Sequence, residues 1–209
     1  MKNLRLPLFG LFLLTGLAGN ACAFDIAAEM DSLRADFTAP ELTANVALIS
    51  QDGNGNVAII DQTQASGSGN YAQIDQSGQS NQANITQSDG GNRALVVQSG
   101  TLNTLTATQS GGGNTLNVTQ SGNSNTMSLA QQGIGNQIDL AQNGDGNLFT
   151  VLQNGNNNSL VSANGASSLS GSVTETGNNN SVTMQTTQNN MLSNKVSVTV
   201  GGGMTVIVH

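Results

Sequence analysis

The side chains that recur at fixed spacing in this chain are amides, and the chemistry they offer is hydrogen bonding. Glutamines recur mostly eleven residues apart, at Gln51, Gln62, Gln76, Gln87, Gln98, Gln109, Gln120, Gln131, Gln142 and Gln153. Asparagines keep the same step, at Asn45, Asn56, Asn70, Asn81, Asn92, Asn103, Asn114, Asn125, Asn136, Asn147 and Asn158. Each primary amide both donates and accepts hydrogen bonds. A fixed period of this kind indicates a repeat architecture in which every unit contributes the same pair of amides.

Groups suited to acid–base, nucleophilic or metal chemistry are sparse and scattered. His209 is the only histidine and Cys22 the only cysteine, so a catalytic triad or a zinc site has too few members. Asp61 and Asp75 fall on an outward strand position, whereas glycosidases need two acids that face each other across a cleft. The glycine run at 111–113 has neither the lysine nor the following helix of a phosphate loop. The sequence therefore predicts no enzyme, no metal site and no cofactor.

The period within each unit is two, which predicts a β-strand. In the unit that begins at Asn114, the residues Leu116, Val118 and Gln120 share one side of the strand with that asparagine. Apolar–polar alternation over seven residues is typical of a strand. We predict that the remaining four residues, 121–124 in this unit, form a tight turn that uses glycine for its positive φ.

Fourteen such units can be counted, the first beginning at Asn45 and the last at Asn194. Two units make one coil, so the predicted fold is all-β: a parallel β-solenoid of about seven two-strand coils, with about 22 residues in each coil. Because an unpaired buried amide costs about 1–3 kcal/mol, we expect the inward Asn and Gln columns to hydrogen-bond from coil to coil. Short insertions fall at 63–69 and 187–193, in turns, and should leave the register of the strands intact.

The regular pattern weakens in the last four units. Asn164, Glu175, Thr186 and Val200 stand where the first ten units have glutamine. Glu175 would have to be protonated, hydrogen-bonded or displaced at an inward position, which indicates a weak coil. We nevertheless expect the amide columns of the first and last coils to match, so that chains stack end to end into fibres with a repeat of about 4.8 Å.

The chain divides into four predicted segments. Residues 1–23 read as a secretory signal, with a basic start, an apolar stretch and the Ala-Cys-Ala cleavage motif at 21–23. Residues 24–44 form an acidic leader, either a short amphipathic helix or a flexible segment. Residues 45–200 hold the repeats, and 201–209 a C-terminal strand that either closes the last coil or serves as a distinct edge or anchor.

The predicted mature chain is acidic, which bears on its partners. All twelve acidic residues lie after residue 23, against three basic ones, Arg34, Arg93 and Lys195. Such a chain repels phosphate groups, so nucleic acid is excluded as a partner.

The repeat Asn-x-Ala-x-Ile-x-Gln-x-Gly-x-x, together with the signal and the short leader, resembles curlin, the subunit of bacterial curli fibres. The segments 56–62, 81–87 and 92–98 are more similar to the minor, nucleating subunit than to the major one. The tail differs, because it lacks the basic residues expected of a nucleator's last repeat. The resemblance implies export by the Sec pathway, passage through an outer-membrane curli secretion channel with its accessory proteins, and assembly with itself and the other curlin subunit. It also implies amyloid fibres at the cell surface that serve adhesion and the biofilm matrix.

Two other functions remain open from the residues alone. A monomeric solenoid adhesin or binding protein would share the repeats, but it would need protected ends, since natural monomers cover exposed sheet edges. An ice-binding surface would need a sustained column of threonines. The outward row Thr104, Thr106 and Thr108 is followed one coil later by Thr126, Ser128 and Ala130, so that column is not sustained.

Overall fold

The computed structural model describes residues 44–64, 67–186 and 195–208, and every regular element in these ranges is a β-strand. The predicted signal, nearly all of the predicted leader, the unit start at Asn194 and His209 lie outside the described residues. The strands are β1 (Val46–Asn54), β2 (Val57–Thr63), β3 (Tyr71–Gln79), β4 (Gln82–Ser88), β5 (Arg93–Thr101), β6 (Thr104–Ser110), β7 (Thr115–Asn123), β8 (Thr126–Gln132), β9 (Gln137–Asn143), β10 (Leu148–Asn154), β11 (Ser159–Asn164), β12 (Ser170–Thr176), β13 (Ser181–Thr186), β14 (Lys195–Gly201) and β15 (Thr205–Val208). The described part of the chain contains no helix that is long and apolar enough to cross a membrane.

Successive strands alternate between two parallel sheets. The odd-numbered strands form the first sheet, in the order β1 to β15, and the even-numbered strands form the second, from β2 to β14. Each strand pairs with the strand two places further along the chain, so Leu116 of β7 lies beside Ile138 of β9, its counterpart in the next coil. The chain therefore winds as a parallel β-solenoid of about seven coils, which confirms the predicted fold class.

The insertions leave the strand register unchanged, as predicted. Val46 pairs with Tyr71 across the first insertion, and Ser170 pairs with Lys195 across the second, at the same unit positions as in the uninterrupted coils. The fifteenth strand continues the first sheet, because Thr205 pairs with Ser181. The C-terminal strand thus adds a further half-coil on top of β13.

The predicted turn at 121–124 is wrong in its extent. Residues 121–123 belong to β7, and the pairing of Gly100 with Gly122 continues the ladder beyond the last glutamine. This is possible because Gly100 adopts a φ of +110°, which bends the strand while it still pairs. An added Cβ there would lie 2.0 Å from the carbonyl oxygen of Gly122, so the coils leave no room for a side chain at this position.

The core is a column of apolar side chains between the two sheets. The third and fifth residues of the units point inward and are buried in all the middle coils; Ile74, Leu116 and Phe149 are among the largest. Outward positions carry mostly threonine, serine, asparagine and glutamine and are partly or fully exposed, apart from the buried Leu48, Tyr71 and Gln73 near the N-terminal end. In both sheets every second residue is buried, as the period of two predicted.

Candidate functional site: the amide ladders and the two ends of the solenoid

The glutamines form two ladders, one along each sheet, and every rung has the same direction. Gln76 donates from Nε2 to Oε1 of Gln98 at 2.8 Å, and Gln98 donates in the same way to Gln120 at 2.8 Å. The first-sheet ladder contains Gln51, Gln76, Gln98, Gln120 and Gln142. The second-sheet ladder contains Gln62, Gln87, Gln109, Gln131 and Gln153. In each rung the amide nearer the N-terminus is the donor.

A second hydrogen bond fixes the orientation of these amides. Nε2 of Gln98 also donates to the backbone carbonyl of Gln82 in the opposite sheet, at 3.1 Å. The same bond joins Gln62 to Val46 at 3.0 Å, and it recurs in most of the middle coils. Because a carbonyl can only accept, reversing the amide would place two acceptors against each other. The glutamines therefore bind the two sheets together as well as the coils.

The asparagine ladders run in the opposite direction. Nδ2 of Asn114 donates to Oδ1 of Asn92 at 3.0 Å, and the backbone N–H of Asn114 donates to the same oxygen at 3.1 Å. Nδ2 also donates to the carbonyls of Ser110, the last residue of β6, and Gly133, in the turn that follows β8. Each such asparagine therefore holds two neighbouring backbone segments as well as the asparagine of the preceding coil. Sequence reasoning predicted both columns of hydrogen-bonded amides but not their opposite directions.

The first-sheet glutamine ladder ends at Gln142. The next position holds Asn164, whose side chain is one methylene shorter and accepts a hydrogen bond from the backbone N–H of Ala166 at 2.9 Å. Nε2 of Gln142 and Nδ2 of Asn164 are both buried and have no hydrogen-bond partner. The shorter side chain of Asn164 therefore interrupts the ladder at this position.

The second-sheet ladder ends at Glu175. This side chain is fully buried and accepts a hydrogen bond from Nε2 of Gln153, while its Oε1 has no partner. Burial raises the pKa of the Glu175 carboxyl, and the hydrogen bond from Gln153 opposes that shift. Of the three predicted outcomes, the structure shows a hydrogen-bonded and undisplaced carboxyl.

Both ends of the solenoid are open sheet edges in the described residues. We call the edges of β1 and β2 the N-terminal end face and those of β14 and β15 the C-terminal end face. The inward residues Ala58 and Ile60 of β2 are only partly buried, whereas Ile85, the neighbour of Ile60 in β4, is fully buried. The inward side chains of β15 and most of those of β14 are partly exposed in the same way. Core side chains and backbone N–H and C=O groups are therefore available at each end for another strand.

The two end faces are not matched, contrary to the sequence-based expectation. The N-terminal end face carries the predicted residues Gln51 and Gln62, which are partly exposed. The C-terminal end face carries Val200 at the corresponding position, in register with Glu175. The remaining predicted ladder residues are buried inside the solenoid, except for Asn45 and Asn56 in the first coil.

Sequence reasoning missed a polar cluster on the outer face of the first sheet. Tyr71 and Gln73 are buried although they point outward; the Tyr71 hydroxyl donates to Oε1 of Gln73 at 2.7 Å. Gln73 donates in turn to Asp75 at 2.8 Å, and the Arg93 guanidinium lies 4.9 Å from the centre of the Tyr71 ring. Because Arg93 follows the only tyrosine by one full coil of the repeat, the spacing could have indicated this cation–π pair. The pair stabilises adjacent strands near the N-terminal end.

Acidic groups do not converge in the described ranges. Asp61 is exposed and Asp75 is partly exposed, both on outward positions as the alternation predicted, and Asp139 is also exposed. In these ranges no three His, Cys, Asp or Glu side chains come together in a way that could hold a metal ion. The chemistry that the structure concentrates is therefore the hydrogen bonding of stacked amides and open strand edges.

The comparisons with known proteins agree with this architecture. Residues 43–78 match the family model described as curlin associated repeat. A comparison with curated proteins gives no match. The matched residues comprise β1, β2 and most of β3, and the same buried Asn and Gln pattern continues without a change of register up to β10. This match, together with the continuation of the same pattern through the solenoid, supports membership of the curlin family.

Proposed function

We propose that this chain is a secreted structural subunit that assembles end to end into curli-type amyloid fibres, which serve adhesion and the biofilm matrix at the cell surface. The observation that carries the proposal is the state of the two ends. The strands of the end coils leave their core side chains half-exposed, whereas the same columns are buried in every middle coil. Adding another coil at either end would bury this apolar surface and pair the free backbone groups.

Family membership supports a structural rather than a catalytic role. Curlin repeats imply an extracellular fibre subunit, and the solenoid presents convex polar faces without a converging acid–base pair in the described residues. The proposed route is Sec-dependent export with removal of residues 1–23, followed by passage through the outer-membrane curli secretion channel with its accessory proteins. Sequencing the N-terminus of the exported protein tests that route, and a start at Phe24 is expected.

A direct test uses purified residues 24–209. We expect a lag followed by a rise in thioflavin fluorescence, sedimentation of the protein, and fibre diffraction with one spacing of about 4.8 Å and another of about 10 Å. A chain that remains monomeric at high concentration while showing a folded β-sheet spectrum would instead indicate the solenoid adhesin.

Within this role we propose the nucleating type of subunit, on the similarity of segments 56–62, 81–87 and 92–98 to that type. Preformed fibres of this chain should then shorten the lag of a separate curlin chain whose repeats all keep glutamine. A lag unchanged by such fibres would indicate a major subunit.

A further inference from the structure

The direction of the glutamine ladders leaves acceptors, not donors, at the N-terminal end face. Gln51 and Gln62 use Nε2 to donate to Gln76 and Gln87, each at 2.7 Å. Their Oε1 atoms accept no hydrogen bond from the described residues, whereas Oε1 of Gln98 accepts from Gln76. A coil stacked on this face would complete the ladder only if it supplied glutamine Nε2 donors.

Among the described residues, the C-terminal end of the same chain has no glutamine at the ladder positions. The residues at the ladder position of the last four repeat units are Asn164, Glu175, Thr186 and Val200. Glu175 accepts from Gln153, and Val200, which follows it in the second sheet, has no polar side chain. The described part of β15 ends at Val208, which pairs with Met184, before the ladder position is reached.

The apolar columns show the same asymmetry. On the N-terminal end face, Ala58 and Ile60 repeat the pattern that their partners Ala83 and Ile85 bury inside the solenoid. The inward residues of β14 and β15 are all valines, in both core columns. Joining the two ends of this chain would therefore bury the Gln62 acceptor against Val200, which has no donor, and would set the Gln51 acceptor above Thr186, whose side chain is shorter than a glutamine. An unsatisfied buried acceptor is destabilising.

Resting on the proposed fibre role, we propose that the N-terminal end face selects a different partner: the last coil of another curlin-repeat chain that keeps glutamine at its ladder positions. Those glutamines would donate to Oε1 of Gln51 and Gln62 and continue both ladders. The C-terminal end of a second copy of this chain is the poorer match. The end faces then give the fibre a direction and place this chain at a junction between unlike subunits.

The test introduces a donor at the C-terminal end face of the full mature chain. The double variant E175Q/V200Q extends the second-sheet ladder from Gln153 to that face. If stacking uses the acceptors of the N-terminal end face, seeded elongation of this variant should be about three- to tenfold faster than that of the wild type, the factor expected for one additional hydrogen bond. Adding Q51M/Q62M, which removes the acceptors at similar volume, should abolish the gain.

A second comparison needs only the wild-type C-terminal end. Because that end offers no glutamine donor to the acceptors, Q51M/Q62M in the wild-type background should slow elongation no more than Q76M/Q87M, the matched control one coil further in. A greater loss for Q51M/Q62M would overturn the inference, and so would equal elongation rates for wild type and a folded E175Q/V200Q variant. Absence of fibres from wild type and every variant would overturn the fibre role and this inference together, whereas equal rates among fibre-forming chains overturn the inference alone.

Discussion

The ring of Phe149 occupies the space that a side chain at Gly171 would need. The two residues are paired in register on β10 and β12, at the third position of their units. An added Cβ at Gly171 would lie 2.3 Å from Cε2 of Phe149, and the ring itself is 1% exposed. The Phe149 ring thus fills the core of its own coil and also the space that glycine leaves in the next coil.

We therefore expect the substitution Gly171→Ala to cost about 1–3 kcal/mol of unfolding free energy, because it overpacks a filled core. Gly171 does not have a positive φ, so the cost comes from packing and not from backbone strain. Urea unfolding of the monomer at low concentration measures it. In the F149L background the same substitution should cost less than about 1 kcal/mol, and equal costs in both backgrounds would show that the ring is not the obstacle.

Glu175 makes the stability of the C-terminal coils depend on pH. Burial raises the pKa of its carboxyl above the ordinary value of 4.5. As the pH rises from that value to the folded-state pKa, the unfolded chain loses its proton while the folded chain keeps it, so the free energy of unfolding falls. Below the ordinary value both states are protonated and the penalty is absent. Stability should therefore decrease as the pH rises through this window, and it should level off above the folded-state pKa.

The matched variant for this prediction is E175Q. In this variant, Nε2 of the new glutamine would take the place of the Glu175 Oε1 that lacks a partner. By analogy with Gln153, which donates to the carbonyl of Gln137, it would donate to the carbonyl of Ser159. At neutral pH we expect E175Q to be more stable than wild type by at least about 0.5–1.5 kcal/mol, the value of one hydrogen bond. Urea unfolding at several pH values checks both statements. A pH dependence that persists unchanged in E175Q would assign it to other groups.

The strand pattern could be predicted because it depends on one quantity, the period of apolar and amide residues. That period determines which side chains point inward and which residues become neighbours in the next coil. It does not determine which way an amide donates, because glutamine and asparagine have the same donors and acceptors. The direction depends on reach: Gln98 extends to the carbonyl of Gln82 in the opposite sheet, whereas Asn114 is shorter and bonds to the nearby carbonyls of Ser110 and Gly133.

Deviations from the repeat were harder to interpret from the sequence. Glu175 indicated a weak coil, yet in the same strand the space beside Gly171 is filled by the ring of Phe149. The strands of the first sheet were also predicted too short, because a glycine with positive φ normally indicates the end of a strand. Here the glycines themselves stack from coil to coil.

This column of glycines leads to a prediction on the turns. Gly100→Ala should destabilise the monomer by at least about 2 kcal/mol, since its φ is +110° and the new Cβ would meet the Gly122 carbonyl at 2.0 Å. Gly112→Ala is the control, because its φ is not positive and the nearest atom to its Cβ is a carbonyl oxygen at 3.6 Å. Urea unfolding of both variants gives the comparison. Similar midpoints for the two would mean that the turns can separate without cost.

The ladder itself is tested by removing one interior rung. Gln98 accepts from Gln76 and donates to Gln120 and to the carbonyl of Gln82, so Gln98→Ala leaves buried groups without partners. We expect a loss of about 1–3 kcal/mol in unfolding free energy and slower fibre formation by thioflavin fluorescence. Thr115→Ala, on a half-exposed outward position, should change either quantity little. If the two variants unfold and assemble alike, the apolar columns alone hold the coils together, and the amides contribute no more than any other residue of similar size.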